Sequence, residues 1–252
     1  MSMVDRERSA RQRLAEERSR QAARDKQRRL LFVVLGTVVA VAVVVVAVVL
    51  VRGSTDDDSA PGSGYKGALA PATRQADGSV VMAEAGVAKP VLELYEDFQC
   101  PACKSVEESL GTTIKEQAAA GKVKVVYRPF RLFQQEPLKS NSQRAANAAE
   151  CAPAGNWVRY HDRLYAEQPD EGDVGFENAD LIKWGAEAGI PGGAFTACVN
   201  GGEKNALVDQ ATAHAARAGV TSTPTLMLDG KKAAASALTP DGLKKAIEAA
   251  GR

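Results

Sequence analysis

Two cysteines three positions apart, Cys100 and Cys103, are the residues of this sequence best suited to chemistry. They lie in the stretch YEDFQCPACKSVEESL, where an apolar run gives way to a helical pattern. A pair with this spacing can act as a redox dithiol, supply half of a metal site, or form a short structural crosslink. The residues around the pair favour one of these three interpretations.

A metal site is the least favoured interpretation. Cys151 and Cys198 are isolated from the pair and from each other, and the sequence contains no second CxxC. Zinc ligands normally come in closely spaced pairs. Neither His161 nor His214 has a neighbour at ligand spacing, so each is expected to be an ordinary surface or partly buried histidine. We therefore predict no metal and no other cofactor.

A purely structural crosslink is also disfavoured, because a bridge across three residues closes almost no chain and stabilises little. At a strand-to-helix junction, Cys100 would lie beside the unpaired N–H groups and the positive end of the helix. This environment favours the thiolate and lowers the pKa of Cys100, whereas Cys103 is shielded inside the first turn. The sequence thus predicts a redox dithiol in which Cys103 resolves the mixed disulfide.

The elements around the pair predict a parallel βαβ unit. The folded part is expected to begin near Ser79, with VVMA as a short strand and PVLELYEDF as a longer one. A helix should run from Pro101 to Ala120 and end at Gly121. The alternating segment KVKVVYRPF predicts the next strand. A strand, a helix and a strand with short links form a right-handed parallel crossover.

Helical patterns interrupted by Gly and Pro then occupy residues 137 to about 218. Four large side chains recur there at helical spacing and are expected in the core, although a peptide groove could use one of them: Trp157, Tyr160, Leu164 and Tyr165. TPTLMLDGKKA predicts two strands joined by an Asp-Gly turn, and PDGLKKAIEAA predicts a closing amphipathic helix. This order of elements indicates a mixed α/β domain.

Four segments together resemble the thioredoxin fold in its DsbA-like form: YEDFQCPAC, WVRYHDRLYAEQP, FTACV and GVTSTPTLMLDG. The resemblance implies a thioredoxin domain over residues 79–250 with a helical insertion at 137–218. It also implies that Cys100 is the exposed nucleophile and Cys103 the resolving cysteine. A cis Thr223–Pro224 bond is expected beside the pair, with the Thr223 backbone pairing to the substrate chain.

The residues between the cysteines depart from the strongly oxidising enterobacterial members of that family. Those proteins have a histidine there, whereas this sequence has Pro101 and Ala102. The imidazole that would further stabilise the thiolate is missing. We therefore expect a Cys100 pKa of about 4.5–7, short of the extreme near 3.5.

The buried acid that many family members carry six residues before the first cysteine is also replaced, because Leu94 stands at that position. Glu93 lies beside it and Glu96 two residues further on. Since alternate residues of a strand share a face, Glu96 lies on the same side as Leu94. Glu96 is therefore the preferred candidate for a proton relay.

The two remaining cysteines both fall in the helical block. Second bridges occur in actinobacterial relatives of the family that the sequence resembles, so a structural disulfide between Cys151 and Cys198 is expected. Two free buried thiols are the alternative. A bridge that closes a loop of this length stabilises by about 4 kcal/mol in the chain-entropy description.

The N-terminal residues have a different pattern. Residues 1–29 hold ten Lys/Arg and five Asp/Glu, and residues 30–51 are 22 uncharged residues. A helix of that length spans about 33 Å and matches a hydrocarbon core of roughly 30 Å. The apolar run is longer than that of a cleaved signal peptide, which remains the alternative. We predict a cytoplasmic tail at 1–29, a single transmembrane anchor at 30–51 and a flexible linker at 52–78.

These features predict a membrane-anchored thiol:disulfide oxidoreductase whose catalytic domain lies outside the cytoplasm, where disulfides persist. Its substrates would be reduced or unfolded secreted proteins, and the resemblance implies reoxidation by a membrane oxidase of the DsbB or VKOR type. Residues 30–51 would contact membrane lipid, and a net charge of +1 argues against nucleic acid as a partner. The alternatives are a reductase or isomerase, including one that serves cytochrome c maturation, and a non-catalytic thioredoxin-like binding module.

Overall fold

The computed structural model describes residues 65–252, which belong to the compact unit Ser59–Arg252. The predicted tail at 1–29 and anchor at 30–51 lie outside the described residues, as do residues 52–64 of the linker predicted at 52–78. Within residues 65–252, no helix has the length and apolar character needed to cross a membrane.

The sheet contains six strands. They are β1 (Ala72–Arg74), β2 (Val80–Met82), β3 (Val91–Glu96), β4 (Lys124–Pro129), β5 (Thr225–Leu228) and β6 (Lys231–Lys232). Their order across the sheet is β1-β2-β4-β3-β5-β6. β3 and β4 are parallel, and all the other neighbouring pairs are antiparallel. β3 is therefore an interior strand, and its carboxyl end leads directly to the cysteine pair.

Seven α-helices pack on and around this sheet in the described residues. They are α1 (Pro101–Ala119), α2 (Leu138–Cys151), α3 (Ala154–Ala166), α4 (Asn178–Glu187), α5 (Ala194–Gly201), α6 (Asn205–Arg217) and α7 (Pro240–Ala250). α1 connects the parallel strands β3 and β4, as the sequence predicts. α2 to α6 fall in the predicted helical insertion at 137–218, and the thioredoxin-like α/β fold is confirmed.

Local sequence explains where several elements begin and end. Gly121 adopts a φ of +69° just after α1, a conformation that glycine reaches without steric cost. Asp229 and Gly230 both have positive φ values, as the two-residue turn between β5 and β6 requires. The Thr239 hydroxyl accepts a hydrogen bond from the Gly242 N–H and caps α7, in which Pro240 is the first residue.

The sheet begins earlier than the sequence indicated, because β1 lies inside the range predicted as linker. Its residues show no apolar periodicity, so pairing with β2 and anchoring by Arg74 stabilise it. The Arg74 guanidinium is ion-paired with Glu150 and donates hydrogen bonds of 2.9 and 2.8 Å to the carbonyl oxygens of Ala149 and Ala152. These contacts join different parts of the chain, and no local pattern reveals them.

Candidate active site

Cys100 occupies the N-cap position of α1, as its place after β3 predicted. Its backbone is extended, and its carbonyl oxygen accepts hydrogen bonds from the N–H groups of Cys103 and Lys104 at 3.0 and 3.2 Å. Pro101 follows as the first helical residue, where its missing N–H costs nothing. Both thiols are free in this structure. Cys100 is not the exposed cysteine that the resemblance implied, because only 6% of it is accessible to solvent, and Cys103 is completely buried.

The two thiols of the pair have opposite acidities. A hydrogen bond from Cys103 is the largest influence on Cys100 and outweighs burial, so that the pKa of Cys100 falls to about 6. Hydrogen bonds from Thr223 and from backbone N–H groups of the first turn act in the same direction. Burial raises the pKa of Cys103, and the nearby charges of Cys100 and Glu96 raise it further. Cys100 is therefore the thiolate and Cys103 the thiol.

The Thr223–Pro224 peptide bond is cis and lies against Cys100, as the resemblance implied. The Cys100 thiol donates a hydrogen bond of 3.5 Å to the carbonyl oxygen of Thr223. Thr223 directly precedes β5, the strand that pairs antiparallel with β3. This pairing brings together two residues 123 positions apart, because the end of β3 lies beside the start of β5.

Of the acids considered at the end of β3, Glu96 is the one inside the protein. Glu96 is fully buried, and its Oε1 atom has no hydrogen-bond partner. Glu93 instead forms an ion pair of 2.8 Å with the Arg128 guanidinium at the surface, and Leu94 is part of the apolar core. The placement of Glu96 near Cys103 agrees with the preference for this residue, whose role as a proton relay stays a prediction.

His161 is not the surface or partly buried histidine that the sequence suggested. It is completely buried, and its Nε2 atom lies 3.1 Å from Glu96 Oε2. Its Nδ1 atom lies 3.3 Å from Asp162 Oδ1. The sequence contains a signal for the burial of His161. It lies four residues after Trp157 and four before Tyr165, and residues at this spacing share one face of a helix.

Two further charged residues, Glu107 and Lys115 of α1, complete a buried cluster that the sequence analysis missed. Lys115 Nζ lies 2.8 Å from Asp162 Oδ1 and 3.7 Å from Glu107 Oε2. Burial and the charge of Glu96 raise the pKa of Glu107 to about 7. Glu107 and Lys115 are eight residues apart, about two turns of α1, and both are buried. Local sequence does not indicate this burial.

One ligand-type atom from each of Glu96, Glu107 and His161 lies within 4.8 Å of the other two. Lys115 already supplies a positive charge to Glu107, and His161 faces two carboxylates. Two cations thus face three carboxyl groups, of which Glu107 has its pKa raised to about 7. We interpret the cluster as an ion-pair network beneath the cysteine pair.

Side chains next to the pair hold the chain in place. The Gln168 amide donates hydrogen bonds of 2.6 and 3.1 Å to the carbonyl oxygens of Phe98 and Cys100. Asp97 is buried and accepts hydrogen bonds from the N–H groups of Gln99 and Leu132 at 2.9 and 2.8 Å. These contacts tie the segment between β3 and α1 to the helical insertion and to the chain after β4.

Cys151 and Cys198 form the disulfide that the resemblance implied, with their Cα atoms 5.9 Å apart. The bridge joins the end of α2 to α5 and lies within the helical insertion. The four large side chains assigned to the core are all buried, with at most 3% of any one of them exposed: Trp157, Tyr160, Leu164 and Tyr165.

The fold and the cysteine pair define the class of protein, a thioredoxin-fold thiol-disulfide oxidoreductase. A family model described as thioredoxin matches residues 84–249, and the chain belongs to this family. No curated protein matches the chain in a sequence comparison.

Solved structures make the likeness more specific. The chain is similar to reduced DsbG of Mycobacterium tuberculosis, a disulfide bond oxidoreductase, at 29% identity and a TM-score of 0.59, covering 76% of this chain and 88% of that one. It is similar to oxidised DsbA of the same organism at 29% identity and a TM-score of 0.59, covering 72% and 92%. MdbA of Corynebacterium diphtheriae, a thiol-disulfide oxidoreductase, is 19% identical with a TM-score of 0.60, covering 77% and 100%, and supports the fold. The chain is thus DsbA-like, with actinobacterial neighbours, as predicted.

Proposed function

We propose that this protein is an extracytoplasmic disulfide oxidase that introduces disulfide bonds into secreted proteins through Cys100 and Cys103. The observation that carries the proposal is the position of Cys100 at the N-cap of α1 against the cis Thr223–Pro224 bond. The hydrogen bonds there lower the pKa of Cys100 to about 6, whereas burial raises that of Cys103. At pH 7, about 90% of Cys100 would be thiolate. Stabilising the thiolate stabilises the reduced protein, which makes the disulfide form a better oxidant.

The reaction follows from the geometry of the pair. A substrate thiolate attacks the Cys100 sulfur, the Cys100–Cys103 bond breaks, and its electron pair goes to Cys103. A second substrate thiolate then attacks the substrate sulfur of the mixed disulfide, and Cys100 leaves as its stabilised thiolate. Thr223, whose carbonyl oxygen contacts the Cys100 thiol, would bind the substrate backbone at the same time.

The location and partners belong to the same proposal. The uncharged residues 30–51 and the basic segment before them support a membrane anchor with the catalytic domain outside the cytoplasm. The reduced protein then requires a membrane oxidase, of the DsbB or VKOR type that the resemblance suggests. A single cysteine introduced between Gly53 and Ala60 tests the topology in a variant whose native cysteines remain. The introduced cysteine should react with a membrane-impermeant thiol reagent on intact cells, whereas labelling only after lysis would contradict the proposal.

The reduction potential of the Cys100–Cys103 pair separates an oxidase from a reductase or isomerase. Equilibration with glutathione buffers should give a potential well above the value of about −270 mV that is typical of thioredoxin. The oxidised protein should also form disulfides in a reduced, unfolded test protein. A Cys103→Ser variant should trap mixed disulfides with secreted proteins through Cys100, and Cys100→Ser should be inactive.

The outcomes of these measurements distinguish the candidates. A potential near that of thioredoxin would identify a reductase. If the folded protein showed no thiol-disulfide exchange, only the non-catalytic binding module would remain. A binding module does not need the lowered pKa of Cys100.

A further inference from the structure

The side-chain amide of Gln168 joins the helical insertion to the backbone of the redox motif. Gln168 lies two residues beyond the end of α3. Its Nε2 atom donates hydrogen bonds of 2.6 and 3.1 Å to the carbonyl oxygens of Phe98 and Cys100. One amide group therefore binds the chain on both sides of Gln99. The exchange chemistry of the two thiols does not itself use this contact.

The carbonyl oxygen of Cys100 is the acceptor through which Gln168 can influence the nucleophile. The oxygen also accepts hydrogen bonds from the N–H groups of Cys103 and Lys104, at 3.0 and 3.2 Å. The Cys103 N–H has a second acceptor, because this group and the Ala102 N–H also bond the Cys100 sulfur and help to lower its pKa. The oxygen and the sulfur of Cys100 thus share one donor. By donating to the oxygen, Gln168 leaves more of the Cys103 N–H for the sulfur.

The direction of this carbonyl group also determines where the sulfur lies. The first helical residue, Pro101, has no N–H, so the sulfur depends on the N–H groups of the second and third residues of α1. The backbone of Cys100 is extended, with φ −80° and ψ 116°. Because ψ is one of only two soft backbone angles of a residue, a change in ψ moves the sulfur relative to the helix. A contact that fixes the carbonyl direction therefore keeps the sulfur beside its two donors.

The loop after α3 is held against the redox motif by further contacts, so that Gln168 is already in place for its acceptors. The side chain of Gln99 is fully buried, and its amide donates a hydrogen bond of 3.5 Å to the carbonyl oxygen of Pro169. Gln99 Oε1 accepts a hydrogen bond of 2.7 Å from Asn141 Nδ2, which also donates to the carbonyl oxygen of Asp173 at 2.8 Å. The amide of Gln168 therefore belongs to a pre-organised loop.

We propose that Gln168 is a positioning residue of the redox site, whose amide holds the Cys100 backbone so that the sulfur faces the N–H groups of the first turn of α1. This inference rests on the proposed thiol-disulfide exchange and deepens it. The hydrogen bonds of the Gln168 side chain go to backbone oxygens and not to the sulfur. Its effect on the reaction is therefore indirect, because it stabilises the Cys100 thiolate and so makes the disulfide form a better oxidant.

Gln168→Met tests this role, because methionine is also unbranched and flexible but has no N–H to donate. In the reduced variant, thiolate absorbance followed against pH should show that the pKa of Cys100 rises from about 6 by about half a unit to one unit. The equilibrium constant for oxidation of glutathione by the disulfide should then fall about three- to tenfold at pH 8 relative to the wild type. At pH 5 it should hardly change, because Cys100 is mostly protonated in both proteins.

Gln143→Met is the matched control for the loss of a hydrogen-bonding glutamine. Gln143 is also half-buried in the insertion, and its side chain bonds Arg131 and Asn205 at 2.8 and 2.9 Å. This change should leave the Cys100 pKa and the equilibrium with glutathione as they are in the wild type. An unshifted Cys100 pKa in Gln168→Met, or a loss of oxidising power that is equal at pH 5 and pH 8, would overturn the proposal.

Gln168→Asn covers the case in which Gln168→Met fails to fold. It keeps the polar amide but is one methylene shorter, so it cannot reach both carbonyl oxygens, and the Cys100 pKa should again rise. A wild-type pKa in this variant would also overturn the proposal. These measurements compare variants with the wild type and do not depend on the direction of the physiological reaction. A wild-type potential near that of thioredoxin would therefore contradict the oxidase proposal alone, whereas an unshifted pKa would contradict the role of Gln168.

Discussion

The thiol of Cys100 lies 3.5 Å from the carbonyl oxygen of Thr223, a residue 123 positions later in the chain. The buried hydroxyl of the same residue lies beside the sulfur, and its hydrogen bond lowers the pKa of Cys100. A hydroxyl that donates to a thiolate favours the charged form. Thr223 therefore contacts the nucleophile through its backbone carbonyl, and its side chain helps to lower the pKa of Cys100.

Replacement of the Thr223 hydroxyl should weaken the thiolate. In Thr223→Val, which keeps the shape of the side chain, the pKa of Cys100 should rise from about 6 by about half a unit to one unit. Thiolate absorbance followed against pH measures the shift. Thr221→Val, at an exposed position two residues earlier, is the control, and an unchanged Cys100 pKa in Thr223→Val would contradict the role of the hydroxyl.

Glu107 should make the stability of the reduced protein depend on pH. Its folded-state pKa of about 7 lies above the ordinary value of 4.5, so the folded state holds the proton more tightly than the unfolded state. The resulting stabilisation is complete below about pH 4.5 and is lost as the pH rises through 7. Urea unfolding at several pH values should show that Glu107→Gln removes about 2–3 kcal/mol of this change.

The neighbouring Glu108→Gln change, on the exposed side of the same helix, is the control for Glu107. It should leave the dependence of the unfolding free energy on pH as it is in the wild type. Equal slopes for Glu107→Gln and the wild type would show that the Glu107 carboxyl does not titrate differently in the two states.

The Arg74–Glu150 ion pair should be worth more at alkaline than at acidic pH. Burial raises the pKa of Glu150 to about 7 against the opposing charge of Arg74. Arg74→Met leaves a buried carboxylate without its partner, and should lower the unfolding free energy by about 2–3 kcal/mol at pH 8. At pH 5 the carboxyl is protonated in the variant, so the loss should be smaller.

Arg163→Met provides the comparison for the Arg74 variant. Arg163 pairs with Glu167 and Glu187 at 2.7 Å, but both acids are more than one-third exposed. Solvent screens such pairs, and the change should cost less than about 1 kcal/mol at either pH. A loss for Arg74→Met that is the same at pH 5 and pH 8 would argue against a charged Glu150 as its cause.

The second disulfide should stabilise the fold without taking part in exchange. The double change Cys151→Ala, Cys198→Ala should lower the unfolding free energy by about 2–4 kcal/mol, because the unfolded chain regains the freedom of the closed loop. Thermal unfolding measures the loss, and the folded variant should keep its single-turnover exchange rate through Cys100. A variant that is stable but inactive would assign a redox role to this bridge.

The parts of the site that local chemistry marks can be predicted from the sequence. The CxxC spacing, the strand before it and the helix after it were enough to place Cys100 at a helix N-terminus. Thr223 and Pro224 came from the family resemblance, because nothing near them in sequence indicates a contact with Cys100. The outline of the fold can be predicted as well, because strand alternation, helical spacing and the Asp-Gly turn are local signals in the sequence.

The missed features depend on contacts between distant segments. His161 meets Glu96 across 65 positions, and Arg74 meets Glu150 across 76. A charged residue in a helical pattern is normally read as solvent-exposed, so Glu107 and Lys115 gave no sign of burial. β1 falls in the range predicted as linker because three residues at a sheet edge carry no periodic pattern of their own.

The origin of His161 and Asp162 on α3 has a consequence for protein engineering. A minimal thioredoxin made by deleting residues 137–218 would keep both redox cysteines and the cis-proline strand. It would nevertheless leave Glu96 and Glu107 with Lys115 as the one cation that remains of the cluster. It would also remove the rings of Trp157 and Tyr165, which shield the cluster from water. The insertion therefore cannot be exchanged as an independent cassette, because the catalytic core and the insertion share one set of buried charges.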